Sequence, residues 1–287
     1  MQARRADPTL VRQNHFKKML QSQRQIGLWT GLRSTMIAEM LSHVSGMDWF
    51  VIDMEHSPND FEDVLLQLQA VEAAPGLLNA APGMLKAVSQ LGGAEPVVRV
   101  PWAEPVVVKR VLDLGAQSLI FPLINSPEQA KLAVEATRYP GLGGVRGVVS
   151  IGRMNNYGAQ SPHYYQEAAA QICNIMQIET MEAVDNIEAI AAVDGVDALF
   201  VGPSDLSASM GFIGQPRHPE VRAVIEKAFS RILATGKAAG FLTANKEDAQ
   251  WALEQGCSFV AVGSDMQMLT AAAKAAATEF KAFASRL

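Results

Sequence analysis

Eight short apolar runs, each followed by a stretch of helical period, constrain this chain more than any other feature. The runs are 25–31 (QIGLWTG), 49–55 (WFVIDME), 96–102 (PVVRVPW), 118–124 (SLIFPLI), 173–179 (CNIMQIE), 198–204 (ALFVGPS), 239–245 (AGFLTAN) and 259–265 (FVAVGSD). They are continuous and rich in Val, Ile, Leu and Phe, as strands covered on both faces are. Helical patterns follow at 34–44, 60–72, 105–114, 126–138, 180–193, 218–235, 246–255 and 266–284. Ser126-Pro127-Glu128 and His218-Pro219-Glu220 place Pro where helices start, and Gly115, Gly195, Gly236 and Gly256 stand where helices stop. Eight strand–helix units in 287 residues predict an α/β chain closed into a single-domain (β/α)8 TIM barrel over residues 25–287, with an extension at 1–24. A doubly wound open sheet is the alternative.

Composition removes other classes. Hydrophobic residues make up 49% and charged residues 18%, which excludes disorder for the chain as a whole. The net charge of −5 argues against a basic nucleic-acid-binding surface. Cys173 and Cys257 lie in no CxxC pair, so thiolate zinc and a disulfide framework are poor readings. No run approaches the roughly 18 apolar residues of a membrane span. The first residues are basic and polar, without an apolar signal core. The expectation is a cytoplasmic protein with neither a nucleic-acid nor a membrane partner. Two segments break the rhythm: 73–95, with a short helical pattern at 84–90, and 140–168. Loops of this length in a compact domain are usually functional or form contacts. The glycines at 141, 143, 144 and 147 do not form GxGxxG and follow a helix, so a dinucleotide fingerprint is rejected.

In a barrel of this kind the active site is built at the C-terminal strand ends. The polar residues there are Trp29, Asp53, Glu55, His56, Arg99, Gln177, Glu179, Ser204, Asp205, Thr243, Asn245, Ser264 and Asp265. Glu179 and Asp205 come from adjacent strands. With water they suit a hard divalent cation such as Mg2+ or Mn2+; the plainer reading is a helix cap and an exposed carboxylate. Asp53 and His56, three apart, suit a carboxylate–imidazole dyad for proton transfer, or a His bonded to its own loop. Arg99 sits among Val97, Val98 and Val100, so its charge needs an anion: a structural partner such as Glu55, or a substrate oxygen. The backbone amides of Gly202-Pro203-Ser204-Asp205 can bind a carboxylate, although the same tetrapeptide is an ordinary turn. No lysine falls within a strand, which disfavours a Schiff base and favours a metal for stabilising an enolate.

Together these residues resemble the metal-dependent pyruvate aldolases of the 4-hydroxy-2-oxoheptanedioate aldolase family. The likeness runs from about His15 to the C-terminus. It is carried by IGLW at 26–29, WFVIDMEHSPND at 49–60, VVRVPW at 97–102, GAQSLIFPL at 115–123, EATRYP at 135–140, VRG at 145–147, QIETMEAVDNIEAI at 177–190, GVDALFVGPSDLSASMG at 195–211, HPEV at 218–221 and VAVGSD at 260–265. The resemblance implies a TIM barrel assembled as a hexamer, with the last helix exchanged between subunits. It also implies cleavage of 4-hydroxy-2-oxo acids to pyruvate and an aldehyde, succinic semialdehyde in aromatic catabolism, with Mg2+, Mn2+ or Co2+. On this likeness Glu179 and Asp205 match metal ligands, and His56 with Asp53 matches the base dyad. Arg99 matches the group facing the keto or enolate oxygen. Gln177 and the amides of Ser204 and Asp205 match pyruvate contacts, and Trp29 and Leu242 line the aldehyde side. The chain departs from the family in a longer 73–95 segment, in Pro-Gly-Leu-Gly-Gly at 140–144 and in Met54. Related readings on the same site are a sugar-acid aldolase, an oxaloacetate decarboxylase or a carbon–carbon-forming synthase. A reading of another class is a barrel that binds an oxo acid without turnover.

Overall fold

The computed structural model describes residues 11–72, 94–161 and 163–287. Every apolar run becomes a strand: β1 (Gln25–Thr30), β2 (Trp49–Asp53), β3 (Glu95–Arg99), β4 (Ser118–Phe121), β5 (Cys173–Ile178), β6 (Ala198–Val201), β7 (Ala238–Leu242) and β8 (Phe259–Ser264). All neighbours pair in parallel and in chain order, and β8 returns to β1, so the sheet closes. The (β/α)8 expectation holds, and the open-sheet alternative is excluded.

The helices are α1 (His15–Met19), α2 (Thr35–Val44), α3 (Phe61–Glu72), α4 (Pro105–Asp113), α5 (Pro127–Thr137), α6 (His163–Gln171), α7 (Met181–Asp185), α8 (Ile187–Ala191), α9 (Pro203–Ser209), α10 (Pro219–Ala234), α11 (Lys246–Glu254) and α12 (Asp265–Ala284). The start signals work as read: Ser126 accepts a hydrogen bond from the Gln129 N–H, with Pro127 opening α5. Gly115 and Gly236 stop α4 and α10 at φ of 98° and 77°, the left-handed region in which a Cβ is strained, whereas Gly195 lies beyond Ala192, the cap of α8. The helix expected over 180–193 breaks at Asn186, whose side-chain amide donates to the Asn125 carbonyl at 2.8 Å and so serves a neighbouring loop. Residues 140–168 do not remain one long loop. They hold a 3-10 turn at Arg153–Asn155 and the start of α6. Helix α6 buries only Tyr164 and Ala168, which is too little apolar pattern to announce it. The helical pattern at 84–90 lies outside the described residues.

The barrel interior shows why particular small residues sit in the strands. A Cβ on Gly27 would lie 2.3 Å from the Trp49 ring, and one on Gly240 would lie 2.3 Å from the Phe259 ring. Large side chains fill layers that the glycines leave open. The floor is closed by α1, which precedes β1. Phe16 is fully buried, with its ring centroid 5.5 Å from those of both Trp49 and Phe259. Burial of that ring contributes roughly 1.5–3 kcal/mol. The boundary expected at residue 24 therefore falls between a plug and the barrel that it plugs. At the other end, the Asp265 carboxylate accepts the N–H groups of Gly31 and Leu32, both at 3.0 Å, and ties the end of β8 to the end of β1. Beyond Asp265 the whole of α12 is exposed. Among the described residues no helix is long and apolar enough to cross a membrane.

Candidate active site

Strand register decides the first contact. Asp53 and Arg99 are Cα partners across β2 and β3. The Arg99 Nε and Nη2 donate to the two Asp53 carboxylate oxygens at 2.9 and 2.8 Å, and Nη1 lies 2.7 Å from Glu55 Oε2. Asp53 and Arg99 are buried and Glu55 is half-buried, and the guanidinium lies 5.0 Å from the Trp29 ring centroid. Arg99 has Glu55 as the structural ion-pair partner, and it also lines the cavity described below.

The Asp53–His56 dyad needs correction. The structure does not bring the imidazole to the Asp53 carboxylate, because the Arg99 fork occupies both of its oxygens. Asp53 Oδ1 also accepts the backbone N–H groups of Glu55 at 3.0 Å and His56 at 3.4 Å. Asp53 therefore shapes the turn that presents His56, and it does not set the ring's tautomer. The imidazole Nε2 is 3.7 Å from Glu55 Oε1, and the side chain is 65% exposed. Burial raises the Glu55 carboxyl above its ordinary range, against the pull of Arg99.

Strands β5 and β6 supply the second group. Glu179 is 2% exposed, and burial pushes its carboxyl up to about 7. The N–H of Leu123 opposes that rise at 3.0 Å, the charges of Asp205 and Glu55 add to it, and Arg99 opposes it. The Gln177 amide donates to Glu179 Oε1, and its own oxygen is buried with no hydrogen-bond partner. Two features here were not legible in the sequence. Leu123 holds φ of 52°, a strained conformation for leucine, and its amide serves Glu179. A Cβ at Gly202 would fall 2.5 Å from Glu179 Oε1, so that glycine makes room for the carboxylate.

These residues fit a divalent cation. The carboxylates of Glu179 and Asp205 are hard oxygen donors, Gln177, whose oxygen is unpartnered, lines the same cavity, and a raised buried carboxyl is relieved by positive charge. Among the described residues no cluster of three or more His, Cys, Asp or Glu gathers as metal ligands.

The sign of a pH effect follows from Glu179. Its folded value of about 7 exceeds the ordinary 4.5, so the metal-free folded state holds the extra proton between those values. Stability of metal-free protein should fall as pH rises from about 4.5 to 7, by roughly 3 kcal/mol from this group. Melting of chelated protein between pH 5 and 8, beside Glu179→Gln, isolates it. The wild-type curve should fall relative to the variant's, and parallel curves would remove Glu179 as the cause.

A cavity of about 400 Å3 opens at the C-terminal strand ends. Trp29, Asp53, His56, Arg99, Gln177, Glu179, Ser204, Asp205 and Leu242, the whole expected set, line it. No lysine does. Two polar strand-end residues have other work: Asn245 caps α11 through the Asp248 N–H at 2.9 Å, and Asp265 is the β8–β1 tie. Sequence reasoning missed Phe200, Arg217 and Asp248, which also line the cavity. Phe200 is an interior strand position. Arg217 and Asp248 lie beyond the strand ends, just before α10 and in α11.

The family model described as HpcH/HpaI aldolase/citrate lyase matches residues 25–272. The chain is 44% identical over 274 residues to a 4-hydroxy-2-oxo-heptane-1,7-dioate aldolase of Escherichia coli (strain ATCC 8739), covering 95% of this chain and 97% of that one. Among solved structures, an HpcH/HpaI aldolase/citrate lyase family protein from Burkholderia cenocepacia J2315 is 39% identical, with a TM-score of 0.84 over 93% of this chain and 99% of that one. The citrate synthase SbnG is 26% identical, with a TM-score of 0.78 over 94% and 98% of the two chains.

Proposed function

The chain belongs to the HpcH/HpaI aldolase/citrate lyase family, and from that premise we propose that it is a metal-dependent pyruvate aldolase. It cleaves, and reversibly forms, a 4-hydroxy-2-oxo acid to give pyruvate and an aldehyde. Retro-aldol cleavage of the compound in the Escherichia coli relative's name would give pyruvate and succinic semialdehyde. The observation that supports the reading best is the pairing, in one cavity, of a buried carboxyl raised to about 7 with a buried guanidinium that keeps N–H groups free. Of the five guanidinium N–H groups, three are directed at Asp53 and Glu55, which leaves two for a substrate oxygen.

Glu179 and Asp205 would hold the cation, Mg2+, Mn2+ or Co2+, which when bound supplies Lewis-acid charge against an enolate. The chain's own residues do the rest. His56 takes the 4-hydroxyl proton, that oxygen becomes the aldehyde carbonyl, and the C3–C4 electron pair passes to the pyruvyl enolate. Arg99 donates to the oxygen that gains charge, the position at which fixed donors contribute most. Gln177 and the amides of Ser204 and Asp205 orient the pyruvyl group. Return of a proton to C3 completes pyruvate. Trp29 and Leu242 face the aldehyde portion.

The test is aldol addition of pyruvate to succinic semialdehyde, and the reverse cleavage, in chelated and in Mn2+-loaded protein. Turnover should appear only with metal. Full activity after chelation would remove the metal from the reading, and no product with any aldehyde would remove the aldolase.

His56→Ala should lower kcat for cleavage by roughly 10²-fold, the low end for one acid–base group, because no carboxylate holds the imidazole at bonding distance. Pyruvate C3 proton exchange, followed by NMR, should slow with it. Exchange at the wild-type rate would make His56 a bystander. Asp53→Asn should act differently, by loosening Arg99.

An oligomer is part of the proposal, with a hexamer and an exchanged last helix as its form. Its support is α12, which leaves Met268, Leu269, Phe280 and Phe283 each more than 40% exposed on one 20-residue helix. Light scattering measures it directly.

A further inference from the structure

We propose that Arg217 is a specificity-determining residue that recognises a carboxylate at the far end of the aldehyde. The inference rests on the aldolase reading and assigns a role to a residue that the strand-end pattern did not include.

The charges around the cavity carry the argument. Its lining holds the carboxylates of Asp53, Glu179, Asp205 and Asp248 against two guanidiniums, Arg99 and Arg217. Arg99 is buried and committed to Asp53 and Glu55. Arg217 differs in each respect. Its side chain is 63% exposed, and among the described residues its one ion pair runs from Nε to Asp248 Oδ2 at 2.9 Å. A pair with so exposed a member is weak and exchanges readily. Among the described residues its Nη groups donate no hydrogen bond, and the planar fork suits a second carboxylate.

Releasing Arg217 does not strand its partner. Asp248 is buried, but its other oxygen accepts from Arg222 Nη1 at 2.6 Å. Arg222 is itself held, with its guanidinium 3.9 Å from the Trp251 ring centroid. Asp248 therefore stays paired when Arg217 turns away, and the usual penalty for an orphaned buried charge does not arise. The backbone that carries Arg217 is anchored as well. The next residue, His218, caps α10 and stacks on Phe212 with centroids 3.9 Å apart.

The rest of the cavity wall fits the same ligand. Trp29, Phe200, Phe241 and Leu242 give an apolar wall suited to methylene groups. A chain of methylenes ending in a carboxylate meets that wall along its length and Arg217 at its tip. A neutral aldehyde of equal length meets the wall only.

The experiment compares two four-carbon acceptors, succinic semialdehyde and butanal, in addition of pyruvate by Mn2+-loaded wild type, Arg217→Ala and Arg217→Lys. The readout is the ratio of kcat/KM for the charged to the neutral aldehyde. In Arg217→Ala the ratio should fall by roughly 10–100-fold, the worth of one charge-assisted contact, with the change carried in KM for succinic semialdehyde. Arg217→Lys should recover part of it. An unchanged ratio overturns the assignment, whether both rates hold or both fall together through damage to the fold. Wild type that adds pyruvate to neither aldehyde overturns the aldolase reading, and this inference with it, by a separate result.

Discussion

Glu179→Gln should remove divalent-metal binding and lower aldol turnover by roughly 10³-fold or more while leaving the metal-free protein at least as stable as wild type at pH 7.5. The loss follows from the several kcal/mol of transition-state charge stabilisation that a cation supplies, at about 1.4 kcal/mol per factor of ten. The stability follows from burial. Glu179 is 2% exposed with its carboxyl raised to about 7, so in metal-free protein at that pH the fold carries a poorly solvated negative charge or a proton held near its limit. Glutamine keeps the shape that Gly202 accommodates and can still accept from the Leu123 N–H. It removes the charge. A variant that melts higher and does no chemistry is the signature of a site built for a cation, and few structural roles give it. Asp205→Asn should match the loss of metal binding without the gain in stability, because Asp205 is exposed. Isothermal titration with Mn2+, melting and steady-state kinetics check all three. Wild-type metal affinity in either variant would break the assignment.

The sequence disclosed the scaffold more fully than the site, for reasons of range. A strand buried on both faces must be apolar along its whole length, so each run from Gln25 to Ser264 could be read locally. Helix α1 could not be read so. It has five residues and matters because Phe16 reaches Trp49 and Phe259, contacts that only closure of the barrel creates. Most of the polar residues picked out at the strand ends line one cavity, although Glu55, Asn245 and Asp265 do not. Pairing among them was not legible, because it depends on register. Asp53 lies three residues from His56, which invited a dyad, but it lies opposite Arg99 across the sheet, and the guanidinium takes both oxygens. The contributions of Leu123 and Gly202 were hidden for another reason. One acts through a backbone amide in an unusual conformation and the other through an absent side chain, so residue chemistry announces neither.

That pairing changes what substitution of Arg99 must do. The guanidinium serves Asp53 through Nε and Nη2 and Glu55 through Nη1, so the scaffold role and the catalytic role share one side chain. Arg99→Met should cost roughly 3–5 kcal/mol, the usual effect of leaving a buried charge without its partner. Arg99→Lys should cost less, about 1–3 kcal/mol, since one ammonium cannot reproduce the fork on Asp53 and still reach Glu55. The two carboxylates should respond unequally. Burial already raises Glu55, against the pull of Arg99, so losing that pull raises it further and favours its neutral form. The stability gap between wild type and either variant should therefore widen as pH rises, because the proton that rescues Glu55 is then withdrawn. Catalysis separates the roles. If Arg99 faces the enolate oxygen with its two remaining N–H groups, kcat of the folded Arg99→Lys protein should fall by about 10²–10³, comparable to removing one oxyanion donor. Melting and steady-state kinetics on one preparation, with kcat corrected for the folded fraction, decide it. Near-normal kcat with a lowered melting point would leave Arg99 as a clamp on Asp53 and Glu55, and would pass the work of stabilising the enolate to the groups around Glu179.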